Sequence, residues 1–417
     1  MNDPILHILH REVIPAIGCT EPIAVALCVA RAKEQLGVEP DAIEVQLSKN
    51  IYKNALSVGI PNTGMTGLPI AVALGATIGR SEWQLEVLRD TTPEAVAYAR
   101  EYMEQIPIRI SIVPDAPDVL YIHTTVHKGA QQAQSTTVGS HTGQIDTSDT
   151  NHQQESKLSS FRQVYDYALN VQTQDVLFLL DGAEMNLRAA EYAFEHPCGH
   201  CLGRILAKHD NGIFERILAY TSGACDARMS GAMVSVMSNS GSGNQGISCS
   251  VPVLLYARHI GASEEQTIRA LTLSNLTVIY IKQSLGRLSA LCGCVVAATG
   301  SAVGITMLKG GQYEETTYAI KNMIANISGM ICDGAKPGCA LKVTSGVATA
   351  VIAASLAMEH SYPEATEGII DEDIDCTIHN LTRIGHDGMS QTDDLILQIM
   401  SSKQFPLLPH HRHYKTE

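Results

Sequence analysis

The run LSALCGCVVAATGSAVGITML, Leu288–Leu308, decides the fold of this chain. It holds 21 residues without a single charge, long enough on paper to cross a membrane. Gly293, Gly300, Ser301 and Gly304 interrupt its apolar surface, and Arg287 and Lys309 flank it. A helix that is small and apolar on every side belongs inside a bundle, so a buried core helix is expected here rather than a membrane span.

The whole composition carries the same signature. Of 417 residues, 17% are charged, against roughly 25% in an ordinary soluble domain, while 45% are hydrophobic and only 5% aromatic. Such a chain builds its core from Ala, Gly, Val and Ile, where backbones approach closely. The apolar content excludes disorder, and the length suggests two or three domains. The net charge of −14 argues against a phosphate-tracking nucleic-acid binder, which needs clustered Lys and Arg. Eleven cysteines, an odd number in a long chain, do not suggest a disulfide framework. Asp3, Arg11 and Glu12 interrupt the opening residues, so no secretory signal is expected. The expected setting is cytoplasmic and reducing, with no membrane partner, and there free thiols invite a metal or catalytic reading.

Pro4 to Leu36 reads as helix, interrupted at Ile17-Gly18-Cys19-Thr20-Glu21-Pro22. Thr20 is a fair N-cap, and Pro22 falls in the first turn, where its missing N–H costs little. Ala42–Leu47 alternates like a strand, a helix is expected over Pro93–Gln105, and three strand-like runs follow at Ile108–Val113, Val119–His127 and Ala133–Gly139. Lys128-Gly129 suits the turn of a hairpin, and the polar stretch Thr142–Glu155 suits a linker. Beyond it, segments such as Val164–Leu169, Glu264–Leu273 and Ala348–Met358 read as helices. The expected fold class is α+β: an α+β domain over 41–154 and a large all-helical domain over 155–417, with the N-terminal helices of 1–40 packing on the helical domain.

The sharpest chemical cluster is Cys332-Asp333-Gly334-Ala335-Lys336-Pro337-Gly338-Cys339, two thiols across a loop of Gly and Pro. Ser289-Ala290-Leu291-Cys292-Gly293-Cys294 supplies a third thiol upstream. Three thiolates with one open position suit a metal or cluster that binds substrate directly; as small buried hydrophobes they are equally at home in a core. Cys19 stands just before a helix N-terminus, where the macrodipole and free N–H groups favour thiolate. Ser238-Asn239-Ser240-Gly241-Ser242-Gly243-Asn244-Gln245-Gly246 contains G-x-G-x-x-G, with Glu264 and Glu265 at the distance of a ribose-binding acid. A dinucleotide site needs repeated βαβ units, however, and a loop of amides and hydroxyls that cradles a small carboxylate is the preferred reading. His141, in Gly139–Gly143, is a candidate proton carrier, or else a solvated loop histidine. Ser48–Asn54, SKNIYKN, lines a pocket or forms a polar turn. His196-Pro197-Cys198-Gly199-His200-Cys201 carries C-x-x-C without a second pair to complete a four-ligand site, which favours a chance cluster. His410, His411 and His413 belong to a tail.

Together, GCTEP at Gly18–Pro22, SNSGSGNQG at Ser238–Gly246, RLSALC at Arg287–Cys292, GMICDGAKPGCALKV at Gly329–Val343 and GMSQTDDLILQIM at Gly388–Met400 resemble the bacterial and archaeal L-cysteine desulfidases, relatives of the iron–sulfur L-serine dehydratases. The resemblance implies an oxygen-sensitive [4Fe–4S] cluster held by three cysteines, which fall on Cys292, Cys332 and Cys339. It implies breakdown of L-cysteine to pyruvate, ammonia and hydrogen sulfide without pyridoxal phosphate. Cys19 then corresponds to the extra thiol that family members are thought to use as a base or transient iron ligand. Cys294 and the His196–Cys201 cluster stand outside the family pattern, and the flanking SALC favours Cys292 over Cys294 as ligand. In that scheme Cys19 or His141 removes the α proton, and Asn239, Ser240 and Asn244 orient the carboxylate. Asn50, Asn54 and Thr142 close the pocket from the α+β side, which puts the site between domains. The partner implied is a small amino-acid substrate, and a homodimer is compatible with it. L-Serine dehydration at the same cluster, a non-catalytic iron–sulfur redox sensor and a pyridoxal phosphate enzyme are the competing readings. No lysine here sits in a recognisable Schiff-base context.

Overall fold

The computed structural model describes residues 3–143, 157–209 and 211–403. Most of the expected linker and the histidines of the tail lie outside them. Helix α1 (Pro4–Glu12), capped by the Asp3 carboxylate on the amides of Ile5 and Leu6, leads into strand β1 (Pro15–Ile17), and α2 (Thr20–Leu36) follows the Gly18-Cys19 turn. The interruption expected at Ile17–Pro22 falls earlier and holds a strand paired far along the chain, and Cys19, not Thr20, is the N-cap of α2.

Next come β2 (Ala42–Leu47), α3 (Lys49–Ala55), α4 (Leu68–Thr77), α5 (Pro93–Gln105), β3 (Ile108–Ile112), β4 (Tyr121–Lys128) and β5 (Gln131–Val138). They form one sheet in the order β3-β2-β4-β5. β2 and β3 are parallel, a pairing that needs a long crossover, and α3 to α5 supply it. β4 and β5 form the foreseen hairpin, turning just past Lys128. Ser48–Asn54 is a helical turn rather than a loop, with the Ser48 hydroxyl capping the amide of Ile51.

The second half is helical: α6 (Phe161–Asn170), α7 (Phe178–Glu195), α8 (Leu202–Ala207), α9 (Ile213–Met229), strand β6 (Ser235–Met237), α10 (Gly243–Ile260), α11 (Glu264–Leu285), α12 (Gly293–Leu308), α13 (Tyr313–Ile327), α14 (Cys339–Met358), α15 (Ile374–Arg383) and α16 (Ser390–Ser401). α12 is the apolar run of the opening, buried continuously from Val295 to Thr306 against α10, α11 and α14. α11 and α14 run well past the stretches expected of them. Their Thr side chains bond back to carbonyls one turn earlier (Thr272 to Ile268, Thr277 to Leu273, Thr344 to Ala340), which lets polar residues sit inside a buried helix.

Two cores result. The first forty residues, expected to join the helical domain together, divide between them. Ile8, Leu9 and Val13 enter the helical core, whereas α2 packs with Ile43, Val45, Ile122 and Val126 in the α+β core. α2 is buried on every side from Thr20 to Ala32, with the sheet on one flank and α4 on another, so an all-helical neighbour was not its only solution.

A second, two-stranded sheet positions the site. β1 pairs antiparallel with β6, Ala16 opposite Val236. The pairing continues as Ser238 N–H donates to the Ile14 carbonyl at 2.9 Å and Ser240 N–H to that of Glu12 at 3.0 Å. GCTEP and SNSGSGNQG thereby meet, although more than two hundred residues separate them. β6 pairs with β1 alone, and Glu264 and Glu265 are exposed in the first turn of α11 beside its Ser263 cap, so the Ser238–Gly246 loop does not sit in the βαβ setting of a dinucleotide fold.

Candidate functional site

Two loops of the helical domain are stitched together at the thiols. Leu291 and Ile331 form an antiparallel bridge, Cys292 N–H donates to the Met330 carbonyl at 2.9 Å, and Cys332 N–H donates to that of Ala290 at 2.7 Å. Cys292 N-caps α12, and Cys339 opens α14 with its N–H on the Lys336 carbonyl at 2.9 Å. Cys339 packs in one apolar cluster with Cys19, Cys225, Met229 and Val58, and Cys294 and Ala335 lean on it.

These thiols differ electrostatically. A hydrogen bond from the Cys294 thiol pulls Cys292 down to about 6 against the effect of burial, and the amides of Val295 and Cys294 add to it. Cys294 is pushed up by the same contact. Burial lifts Cys339 to about 11 and raises Cys332 and Cys225.

Lysines surround the loops. Lys282, Lys336, Lys342 and Lys53 each act on one or more of Cys292, Cys332, Cys294 and Cys339. Lys336 and Lys342 pair with Asp333 and Lys53 with Asp393, while burial lowers Lys282 to about 8, so part of this positive charge is balanced within the chain. Among the described residues no three His, Cys, Asp or Glu side chains converge closely enough for a single ion. A cubane offers each thiolate its own iron and spreads its ligands wider than one metal does. The donor set fits such a group: soft thiols on tied loops, two at helix N-termini, with compensating cations.

Beside the thiols lies a cluster of buried polar side chains. The Cys19 thiol donates to Glu21 Oε2 at 3.0 Å, Thr20 Oγ1 donates to the same oxygen at 3.1 Å, and Asn54 Nδ2 donates to Oε1 at 3.0 Å. The helix N-terminus was expected to favour a Cys19 thiolate. Burial and the adjacent Glu21 carboxylate overcome it and push Cys19 well above the ordinary thiol range, so Cys19 is a thiol here. Burial also pushes Glu21 up, but His141, the Cys19 hydrogen bond and Arg228 together hold it below its ordinary value.

His141 is 3% exposed, and neither ring nitrogen has a hydrogen-bond partner among the described residues. Burial drives its pKa to about 4, so the imidazole is neutral at pH 7, with both ring nitrogens uncommitted among the described residues and a lower proton affinity than an exposed histidine. Its strap is clamped by Arg31 of α2, which donates to the carbonyls of Thr142 at 3.0 Å and Gly143 at 3.4 Å. Opposite stands Gly241, at φ +80°, where a Cβ would lie 2.6 Å from His141 Nδ1.

The other expected substrate residues spread around this polar cluster. Asn244, in the first turn of α10, turns its amide nitrogen to Met229 Sδ at 3.3 Å, leaving Oδ1 buried without a partner among the described residues. Ser240 donates to Asn239 Oδ1 at 2.8 Å, and Asn239 gives its amide to Asn275 Oδ1 at 2.9 Å. Asn50 faces α16, donating to Asp393 Oδ2 at 3.1 Å beside the buried Lys53–Asp393 ion pair.

Glu21, Cys225 and Arg228 escaped the sequence reading as chemical groups. Cys-Asp-Ala-Arg at 225–228 puts two charges at the end of a helix whose neighbours are small and apolar, and that mismatch was the available signal. The His196–Cys201 motif is a structural turn: Cys198 packs with Ala193 and Ala227, and the Asp226 carboxylate accepts the amides of His200 at 3.3 Å and Gly203 at 3.0 Å. Desolvation holds Asp226 up at about 6.

Residues 82–398 match the serine dehydratase alpha chain family. The chain belongs to that family. It is 55% identical over 418 residues to a UPF0597 protein of Bacteroides fragilis, covering 96% of this chain and 98% of that one. A UPF0597 protein of Bacteroides thetaiotaomicron is 56% identical over the same length, covering 96% and 97%. One of Porphyromonas gingivalis is 47% identical over 426 residues, covering 96% and 98%. The serine dehydratase alpha chain family is one of lyases and is generally iron–sulfur dependent. That membership accords with a thiol-lined centre beside a buried polar cluster.

Proposed function

We propose that this serine dehydratase-like protein is an L-cysteine desulfidase, which eliminates sulfide from L-cysteine and yields pyruvate and ammonia. Cys292, Cys332 and Cys339 would hold a [4Fe–4S] cluster. When bound, it supplies a Lewis-acidic iron that stabilises negative charge developing on the substrate. The observation that supports this most is that Cys19, a thiol hydrogen-bonded to a carboxylate, shares its apolar cluster with Cys339 and its polar cluster with the unpartnered imidazole of His141.

The chain's own residues then divide the work. His141 accepts the α proton at a ring nitrogen; the electron pair of the Cα–H bond forms the Cα=Cβ bond as the Cβ–S bond breaks. Cys19, a thiol hydrogen-bonded to Glu21, gives its proton to the departing sulfur, and regains one as His141 releases the α proton when the products leave. Burial of Cys19, Glu21 and His141 keeps bulk water from the reacting atoms. The aminoacrylate released tautomerises and hydrolyses in water to pyruvate and ammonia. Asn54, Asn239, Ser240 and Asn244 form the binding walls, with Asn50 and Thr142 bracing them from behind.

L-Serine dehydration is the second reading, favoured by the family match itself. The soft thiol lining leans towards a sulfur leaving group. Anaerobic protein assayed for sulfide and pyruvate against L-cysteine and L-serine separates the two: pyruvate from serine alone ends the desulfidase reading.

A further inference from the structure

Arg228 heads the fully buried side chains by volume, at 1% exposure. Its Nε and Nη2 have no hydrogen-bond partner among the described residues. A guanidinium carries five donors, cannot shed its charge, and is costly to bury unpaired. The nearby carboxylate, Glu21, has both oxygens engaged by Cys19, Thr20 and Asn54, and makes no ion pair with Arg228 among the described residues. The N-terminus of α10 adds to the positive field: a Cβ on Gly243 would lie 2.2 Å from Arg228 Nε, so glycine there lets the helix end close on the guanidinium.

The same polar cluster leaves three acceptors unused. Asn54 Oδ1, Asn244 Oδ1 and Gln245 Oε1 are buried without partners among the described residues. The orientations of Asn54 and Asn244 follow from their amide nitrogens, committed to Glu21 and to Met229. Asn54 is bonded to Glu21, and Asn244 and Gln245 follow Gly243, which abuts Arg228, in the first turn of α10; a fork of donors and amide oxygens on these elements are complementary to a carboxylate and an ammonium on one small molecule.

We infer that Arg228 takes the α-carboxylate of a zwitterionic α-amino acid while the side-chain oxygens of Asn54, Asn244 and Gln245 take its α-ammonium. This rests on the amino-acid lyase reading and names how the substrate is recognised. It moves the carboxylate contact from the Ser238–Gly246 loop to the end of α9.

The test uses L-alanine, which has both charged groups and no leaving group, with L-alaninamide lacking the carboxylate and propionate lacking the ammonium. Binding to the full chain is measured anaerobically by calorimetry and thermal shift. L-Alanine should bind and raise the melting temperature, and either truncated analogue should bind at least about tenfold more weakly. Arg228→Gln should weaken L-alanine roughly 100-fold, and Arg228→Lys should lie between. The ligand-free melting temperature of Arg228→Gln should stay level or rise, because an unpaired buried charge has gone. Unchanged L-alanine binding overturns the assignment, and a marked fall in that melting temperature passes the decision to the wild-type panel. If Arg228→Gln does not fold, the wild-type panel decides, and equal binding of L-alaninamide overturns it. Sulfide release with unaltered KM in Arg228→Gln would remove the clamp and keep the lyase; Arg228-dependent L-alanine binding in a chain that releases neither sulfide nor pyruvate would do the reverse.

Discussion

The Cys19 thiol donates to Glu21 Oε2 across 3.0 Å, and Asn54 from α3 holds the other oxygen of the same carboxylate at the same distance. This pair joins the polar cluster to the thiol cluster, because Cys19 packs with Cys339 while Glu21 faces His141 and Arg228. A carboxylate below its ordinary value beside a thiol above its own keeps the proton on sulfur and directs it along the hydrogen bond. Glu21→Gln keeps the shape and removes the negative charge. Turnover should fall by roughly 100-fold or more with iron and sulfide content unchanged, as sulfide-release assays on reconstituted protein would read.

Cys339→Ala and Cys19→Ala separate ligand from proton carrier. The first should lose iron, acid-labile sulfide and activity together. The second should retain iron and sulfide and lose turnover. Iron analysis beside anaerobic kinetics distinguishes them, and unchanged turnover in Cys19→Ala removes this thiol from the mechanism.

His141 makes stability depend on pH. Its folded pKa of about 4 lies below the ordinary 6.5 because burial disfavours the imidazolium. Between those values the unfolded chain binds a proton that the folded chain refuses. Stability is therefore whole above pH 6.5 and falls as the pH drops towards 4, by up to about 3 kcal/mol from this group. Denaturant unfolding at stepped pH should show that slope, reduced in His141→Asn.

Asp393→Asn tests the closure of α16 on α3. Lys53 is 2% exposed and pairs with Asp393, so removing one partner strands a buried cation. A loss of about 3–5 kcal/mol is expected, with α16 released first under limited proteolysis. Because Lys53 also acts on Cys332, iron retention should fall in the same variant.

Much of this was legible in the order of residues. The β2 alternation, the proline that opens α5 and the small-residue run of α12 state their structures locally, since period, cap and composition suffice. Cys292, Cys332 and Cys339 stand out because Gly, Pro and helix starts frame them. What could not be read is long-range. The pairing of β1 with β6 brings Glu21 and Asn244 to one polar cluster, and no local rule announces a three-residue strand whose partner lies in the other half of the chain. Arg228 hid for the opposite reason: an arginine near a helix C-terminus reads as an ordinary dipole partner, and only the fold shows it buried with Nε and Nη2 lacking a hydrogen-bond partner among the described residues. Cys19 misled because proximity to a helix end is visible in sequence, whereas desolvation and the Glu21 carboxylate's hydrogen bond are properties of the fold.

Anaerobic turnover of L-cysteine by reconstituted protein, before and after iron chelation, tests the central claim most directly. Sulfide and pyruvate should appear in equal amounts, faster than pyruvate from L-serine, and both should vanish when the iron is removed. Undiminished sulfide release after chelation, or pyruvate from serine alone, would contradict it.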